Sequence, residues 1–147
     1  MDFVLRELKE EDLEKGFFDT LSNLTTVGKI SQEGERAKSI FNEISKTNMY
    51  KIVIAEDTIT NQVIGTATLL IEQKFIHDGG KVGHIEDVST RKEYQGKGVG
   101  AKIIRELIKI GKENGCYKII LDCDEKVIRF YEKLGFRQHS TMMRIDT

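Results

Sequence analysis

Tyr94-Gln95-Gly96-Lys97-Gly98-Val99-Gly100-Ala101 is the stretch on which the fold turns. A β-rich run over residues 82–90 precedes it. Residues 98–115 follow with Ile103, Ile104, Leu107, Ile108 and Ile110 at helical spacing. The stretch therefore reads as the passage from a strand into an amphipathic helix. Glycines at alternate positions let a backbone approach a ligand without Cβ clashes. Amides just ahead of a helix point at one spot, where the dipole favours an anion such as a pyrophosphate. The stretch is not a Walker loop, because Gly100 is followed by Ala101. It is not the dinucleotide fingerprint Gly-x-Gly-x-x-Gly either, because Gly96, Gly98 and Gly100 stand two apart. On spacing alone, a plain flexible glycine turn is the alternative.

Upstream, residues 50–56, 63–75 and 82–90 are β-rich runs joined by polar turns at Thr60-Asn61-Gln62 and His77-Asp78-Gly79-Gly80, which predicts an antiparallel meander. Residues 3–8 add a strand. A helix then opens at Glu10-Glu11-Asp12 and carries Leu13, Phe17, Leu21 and Leu24 at helical spacing, stopping near Gly28. Ser31 is the expected N-cap of a second helix with Ala37, Ile40, Phe41 and Ile44 on one face. Downstream, residues 117–123 form an apolar and hence central strand, 125–134 a short helix ended by Gly135, and 136–145 a last strand. The order is β-α-α-β-β-β-α-β-α-β in one domain, residues 1–147. It predicts an α/β (α+β) fold: a mixed, mostly antiparallel sheet with helices on both faces.

The composition is that of a globular chain: 39% of the 147 residues are hydrophobic and 32% charged. With 23 basic and 24 acidic residues the net charge is −1, so no global field gathers nucleic acid or an anionic membrane. No run nears the roughly 20 apolar residues of a membrane span. Met1-Asp2-Phe3-Val4-Leu5-Arg6 lacks the order of a signal peptide. The expected compartment is the cytoplasm, with no membrane or nucleic-acid partner. Cys116 and Cys123 fall in one predicted strand, about 23 Å apart when extended and beyond disulfide reach. They are expected as reduced, buried thiols, and no metal site is expected.

Gln95-Gly96-Lys97-Gly98-Val99-Gly100 resembles the Gln/Arg-x-x-Gly-x-Gly/Ala acetyl-CoA loop of the GNAT superfamily of N-acetyltransferases. Phe130-Tyr131-Glu132-Lys133-Leu134-Gly135-Phe136 resembles that superfamily's second signature, and the element order matches its fold. Leu24-Thr25-Thr26-Val27-Gly28, Gly83-His84-Ile85-Glu86-Asp87-Val88 and the segment from Gly115 to Cys123 narrow the likeness to the glucosamine-6-phosphate N-acetyltransferases. The resemblance implies a GNAT fold with a splayed strand pair opening a V-shaped gap. It also implies acetyl transfer from acetyl-CoA, the co-substrate, to the 2-amine of D-glucosamine 6-phosphate in a ternary complex, on the route to UDP-N-acetylglucosamine. It further implies a homodimer built by exchange of the C-terminal strand. A GNAT enzyme for another small amine is the alternative.

The resemblance also assigns residues. Val88, Ser89 and Thr90 are expected along the pantetheine arm, and Gln95, Gly96, Lys97, Gly98, Val99, Gly100 and Ala101 at the diphosphate. Phe130, Tyr131, Glu132 and Lys133 complete the coenzyme contacts. Val127 stands where many members carry an asparagine, so that contact is not carried over. The sugar is expected to meet Thr25, Glu86, Asp87, Val88 and Asp122, together with Lys74, Phe75, Ile76, His77 and Tyr117. An arginine that the family brings across the dimer to the phosphate falls here on Asp146; Arg144, two residues earlier on the same strand face, substitutes if the strand shifts, with Lys118 and Arg137 as the weaker alternatives.

Catalysis is assigned to Glu86, Asp87 and Asp122, which orient the amine and take its proton, and to Tyr131, which donates a proton or a hydrogen bond to the departing thiolate. A sugar amine is less basic than lysine, so no strong base is demanded. Adjacent residues on a strand face opposite sides, so Glu86 and Asp87 share a pocket only if the strand bulges or splays. Asp122 sits in the apolar run Ile119-Ile120-Leu121-Asp122-Cys123, where a carboxylate is costly unless paired or functional. His84 and His139 read as structural.

Overall fold

A computed structural model describes residues 1–147. The β-branched runs form β1 (Phe3–Glu7), β2 (Tyr50–Asp57), β3 (Val63–Gln73), β4 (Lys81–Thr90) and β5 (Cys116–Ile120), and the sheet keeps them in that order. Neighbours are antiparallel except β4 and β5, which are parallel. The helices are α1 (Phe17–Leu21), α2 (Gly34–Ser45), a single turn α3 (Ile76–Gly79), α4 (Val99–Glu113) and α5 (Ile128–Glu132).

The connection from β4 to β5 runs through α4, as parallel neighbours require. The apolar stripe of α4 (Val99, Ile103, Ile104 and Leu107) is at most 1% exposed and packs with Ile64, Leu69, Ile71 and Ile85 of the sheet. Burying one such side chain stabilises the fold by about 1.5–3 kcal/mol. Gly65 of β3 allows the close approach: a Cβ there would lie 2.7 Å from Val99 Cγ1 and 2.8 Å from Ile103 Cδ1. On the other face, Phe17 of α1 packs with Ile54 and Val63.

Several predicted elements come out differently. The helix expected from Glu10 onward breaks at Gly16, whose φ is 83°, into a 3-10 turn (Glu10–Glu14) and α1. Asp12 in that turn is fully buried and accepts both guanidinium nitrogens of Arg6 at 2.7 Å, fixing the turn to β1. Ser31 does not cap a helix; its hydroxyl donates to Gly28 O at 3.2 Å within a 3-10 turn, and α2 starts after Glu33. β5 ends at Ile120 rather than at residue 123, which leaves Asp122 and Cys123 exposed instead of buried.

The last predicted strand is absent. Residues 136–145 have no regular structure, and residues 137–147 make no backbone hydrogen bonds. A strand needs an edge to pair with, and in the single chain the tail lies against none. No helix is long and apolar enough to cross a membrane.

Candidate active site

β4 pairs with β5 only from Lys81 to His84. From Ile85 onward the edge of β4 has no strand beside it, which is the gap the sequence led us to expect. On the opposite edge Thr66 pairs with Ser89 and Thr68 with Glu86, so Ala67 alone faces Asp87 and Val88. This is a β-bulge, one residue opposed by two. It bends Asp87 into the left-handed region, φ 52°, at a cost of about 1–2 kcal/mol for a residue with a Cβ. The bulge interrupts the strand's alternation, and Glu86 and Asp87 are both exposed.

Asp122 stands just past the end of β5 and belongs to the same group. The Glu86 carboxyl is pushed above the usual glutamate range, first by burial and then by the negative charges of Asp122 and Asp87; His84 opposes them. Two carboxylates on β4 and one just beyond β5 thus lie close enough for their charges to act on one another beside the gap. Mutual repulsion makes one of them a readier proton acceptor than an isolated glutamate.

Tyr131 of α5 is 8% exposed, set edge-on between Phe130 and Phe136 at 4.9 and 5.8 Å. Burial first, then the charges of Cys123 and Asp122, push its phenol up to about 12. A thiol titrates near 8.5. A phenol this weak as an acid does not surrender its proton to a thiolate; it donates a hydrogen bond to one and stays protonated. The charges of Cys123 and Asp122 reach the Tyr131 phenol, which places α5 next to the segment that follows β5.

The glycine loop is held from below and open above. Tyr94 Oη donates to Asp57 Oδ2 at 2.9 Å, and Gln95 Nε2 to Thr90 O at 3.1 Å. Gly96 and Gly98 take φ 73° and 84°, and a Cβ on either would meet nothing within 4 Å. The first intrahelical acceptor of α4 is Gly98 O, bonded by Lys102 N–H at 3.1 Å, so the amides of Val99, Gly100 and Ala101 precede it. Lys97 lies with its ammonium 5.4 Å from the Tyr94 ring centroid. The loop adjoins both other parts: a Cβ on Gly100 would lie 3.5 Å from Thr90 Oγ1 and 3.6 Å from Phe130 Cζ. An anion at the loop, an extended arm along Val88 and Thr90, and a reacting group near Tyr131 fit one continuous path. Ser89 does not point its hydroxyl into that path; it is 5% exposed and donates to Thr20 O at 2.6 Å.

The same contact places Thr25. Arg91 donates to Gly16 O at 3.2 Å and to Thr20 Oγ1 at 3.3 Å, and Lys92 N–H donates to Asn23 Oδ1 at 3.1 Å. The segment after α1 is thereby tied to the end of β4, and Thr25 is exposed on it. Glu132 and Lys133 are exposed at the end of α5.

The remaining sugar candidates lie elsewhere in a single chain. Phe75, Ile76 and His77 occupy the β3–β4 turn, at the opposite end of β4 from the bulge. His77 stacks on Tyr117 at 4.2 Å, Phe75 is fully exposed, and Lys74 pairs with Glu72 at 2.9 Å. Arg144 lies in the exposed tail, paired with Asp146 at 2.6 Å. One residue read as structural lies beside the site: His84, whose Nε2 is 3.0 Å from Glu72 Oε1. The period-2 spacing of His84 and Glu86 was the signal that placed it there.

Comparison with known proteins agrees with this geometry. The model of the acetyltransferase (GNAT) family matches residues 6–136. Glucosamine 6-phosphate N-acetyltransferase 1 of Dictyostelium discoideum is 40% identical over 141 residues, covering 95% of this chain and 88% of that protein. The glucosamine 6-phosphate N-acetyltransferase of Candida albicans is 39% identical, covering 96% of this chain and 93% of its own. The crystal structure of glucosamine-6-phosphate N-acetyltransferase from Arabidopsis thaliana superposes with a TM-score of 0.92 at 36% identity, covering 99% of each chain. With the splayed strands, the open glycine loop and a match running through nearly the whole length, the chain belongs to the acetyltransferase (GNAT) family.

Proposed function

We propose that this protein transfers the acetyl group of acetyl-CoA to the 2-amine of D-glucosamine 6-phosphate, giving N-acetylglucosamine 6-phosphate and CoA. The observation that carries the reading is the convergence of Glu86, Asp87 and Asp122 at the gap beside a buried tyrosine, in a chain whose close relatives bear that enzyme's name. The diphosphate rests on the amides of Val99, Gly100 and Ala101, with Gln95, Gly96, Lys97 and Gly98 shaping the loop. The pantetheine arm lies along the unpaired edge of β4 at Val88–Thr90. Phe130, Glu132 and Lys133 flank it.

The neutral amine attacks the thioester carbonyl carbon, the C–N bond forms and the C–S bond breaks. The proton lost from nitrogen passes, directly or through water, to the carboxylate group centred on Glu86. Tyr131 donates a hydrogen bond to the sulfur as negative charge develops there; the released thiolate then takes a proton from water, and the carboxylate group returns its own to solvent. Holding both reactants in one gap supplies the geometry that a bimolecular encounter lacks.

The tail supports a homodimer. Met142, Met143 and Ile145 are 60%, 92% and 87% exposed, and so are Phe75 and Ile76 at the hairpin turn, by 103% and 61%. A second copy that pairs with the tail covers these side chains and brings Arg144, freed from Asp146, toward the sugar phosphate. In that assembly Lys74, His77 and Tyr117 complete the site, and the enzyme works in the cytoplasm on a route to UDP-N-acetylglucosamine. Initial rates with acetyl-CoA and a panel of amines test the reading. Glucosamine 6-phosphate is expected to exceed glucosamine and polyamines in kcat/KM by at least about a hundredfold, the loss that follows when a charged subsite is left empty. Equal rates for all amines contradict it.

A further inference from the structure

A row of charged side chains crosses the sheet from the hairpin turn to the gap. Lys74 Nζ is 2.9 Å from Glu72 Oε1, and the same oxygen is 3.0 Å from His84 Nε2. Register explains the row: Leu70 pairs with His84, Glu72 with Val82 and Thr68 with Glu86, so Glu72 lies diagonally opposite His84, and His84 shares its face with Glu86. Two residues along a strand are separated by roughly 7 Å, within reach of a direct charge interaction.

We propose that His84 is a positioning residue for acetyl transfer: anchored by Glu72 and on the same strand face as Glu86, its ring holds that carboxylate oriented as the acceptor of the amine proton. The inference rests on the reading of Glu86 given above. Every charged group near the pair is accounted for. Glu86 is faced by Asp87 on its own strand and by Asp122 beyond β5, both raising its affinity for protons, while His84 alone lowers it. His84 is faced by Glu72 and, through it, Lys74 of β3. Lys118 of β5 spends its ammonium over the Tyr117 ring at 5.7 Å. His84 is the one basic side chain beside Glu86 in an otherwise acidic cluster, and Glu72 keeps its ring from turning away.

The test is the pH dependence of kcat with both substrates saturating, together with NMR titration of the Glu86 carboxyl in the free protein. His84→Gln retains a donor toward Glu72 but carries no charge. It is expected to move the acid limb of kcat, and the Glu86 titration, up by about half a pH unit, the scale of one partly screened charge at this distance. His84→Lys restores the charge and is expected to bring both back to the wild-type position or below. If His84→Gln leaves limb and titration unmoved and lowers kcat equally at every pH, the proposal is overturned and His84 serves packing alone. The NMR titration needs no substrate. A moved titration in a protein inactive toward glucosamine 6-phosphate would therefore sink the substrate reading and not this one.

Discussion

Asp87 holds a left-handed backbone, φ 52°, that its side chain does not favour. Glycine adopts that conformation freely. Asp87→Gly is therefore expected to keep the melting temperature within a few degrees of wild type by calorimetry, while kcat/KM for the sugar falls at least about tenfold. A variant that loses stability and activity together would show that the bulge serves folding. Tyr131→Phe removes one donor to the developing thiolate and is expected to lower kcat by about a hundredfold with little change in KM for acetyl-CoA, measured by steady-state kinetics. Glu86 titrates above the ordinary range partly because of Asp122. Activity needs its ionised form, so the acid limb of kcat lies above the normal glutamate range, and Asp122→Asn moves that limb to lower pH while reducing the plateau. Glu86, Asp87 and Asp122 were legible in the sequence as carboxylates in β-rich segments. The bulge that breaks the alternation between Glu86 and Asp87 was not, because it arises from the register of Ala67 on the neighbouring strand.

At the level of elements, the passage from β4 into α4 carries the coenzyme. Gly98 has φ 84° and open space around it, so Gly98→Ala meets backbone strain and not a clash. The variant is expected to fold, to raise KM for acetyl-CoA about tenfold or more, and to keep kcat near wild type once saturated, because the amides tilt away from the diphosphate. An unchanged KM would remove the loop from the binding site. β2, β3, β4 and α4 were readable because their apolar periodicity is long and regular. The break at Gly16 was not: Arg91 donates to Gly16 O, and a Cβ there would lie 1.7 Å from Arg91 Nη2. That constraint comes from a residue 75 positions further along the chain. β5 failed in a similar way, since Leu121, Asp122 and Cys123 continue an apolar run after the neighbouring strand has parted from it.

Across the whole molecule, charge and assembly set the limits. Burial pushes the Asp12 carboxyl up, but the Arg6 guanidinium and Lys9 N–H outweigh it and hold the group below the usual aspartate range. A carboxyl lowered on folding contributes stability above its unfolded pKa of about 3.9. That stability drains away as the pH falls through the lower folded value. Melting temperature is expected to drop with acid below about pH 4, and Asp12→Asn to start lower and show a shallower slope. The tail was read as a last strand over residues 136–145, but a strand is a property of two paired edges, and residues 137–147 pair with none in the single chain.

Acetyl transfer to the sugar is decided by following a labelled acetyl group from acetyl-CoA in the presence of glucosamine 6-phosphate, with wild type and Glu86→Gln side by side. The label is predicted to appear on the hexosamine nitrogen with wild type and to fall sharply with the variant. Thiol release with no label on the sugar, or equal labelling by both proteins, would contradict the account.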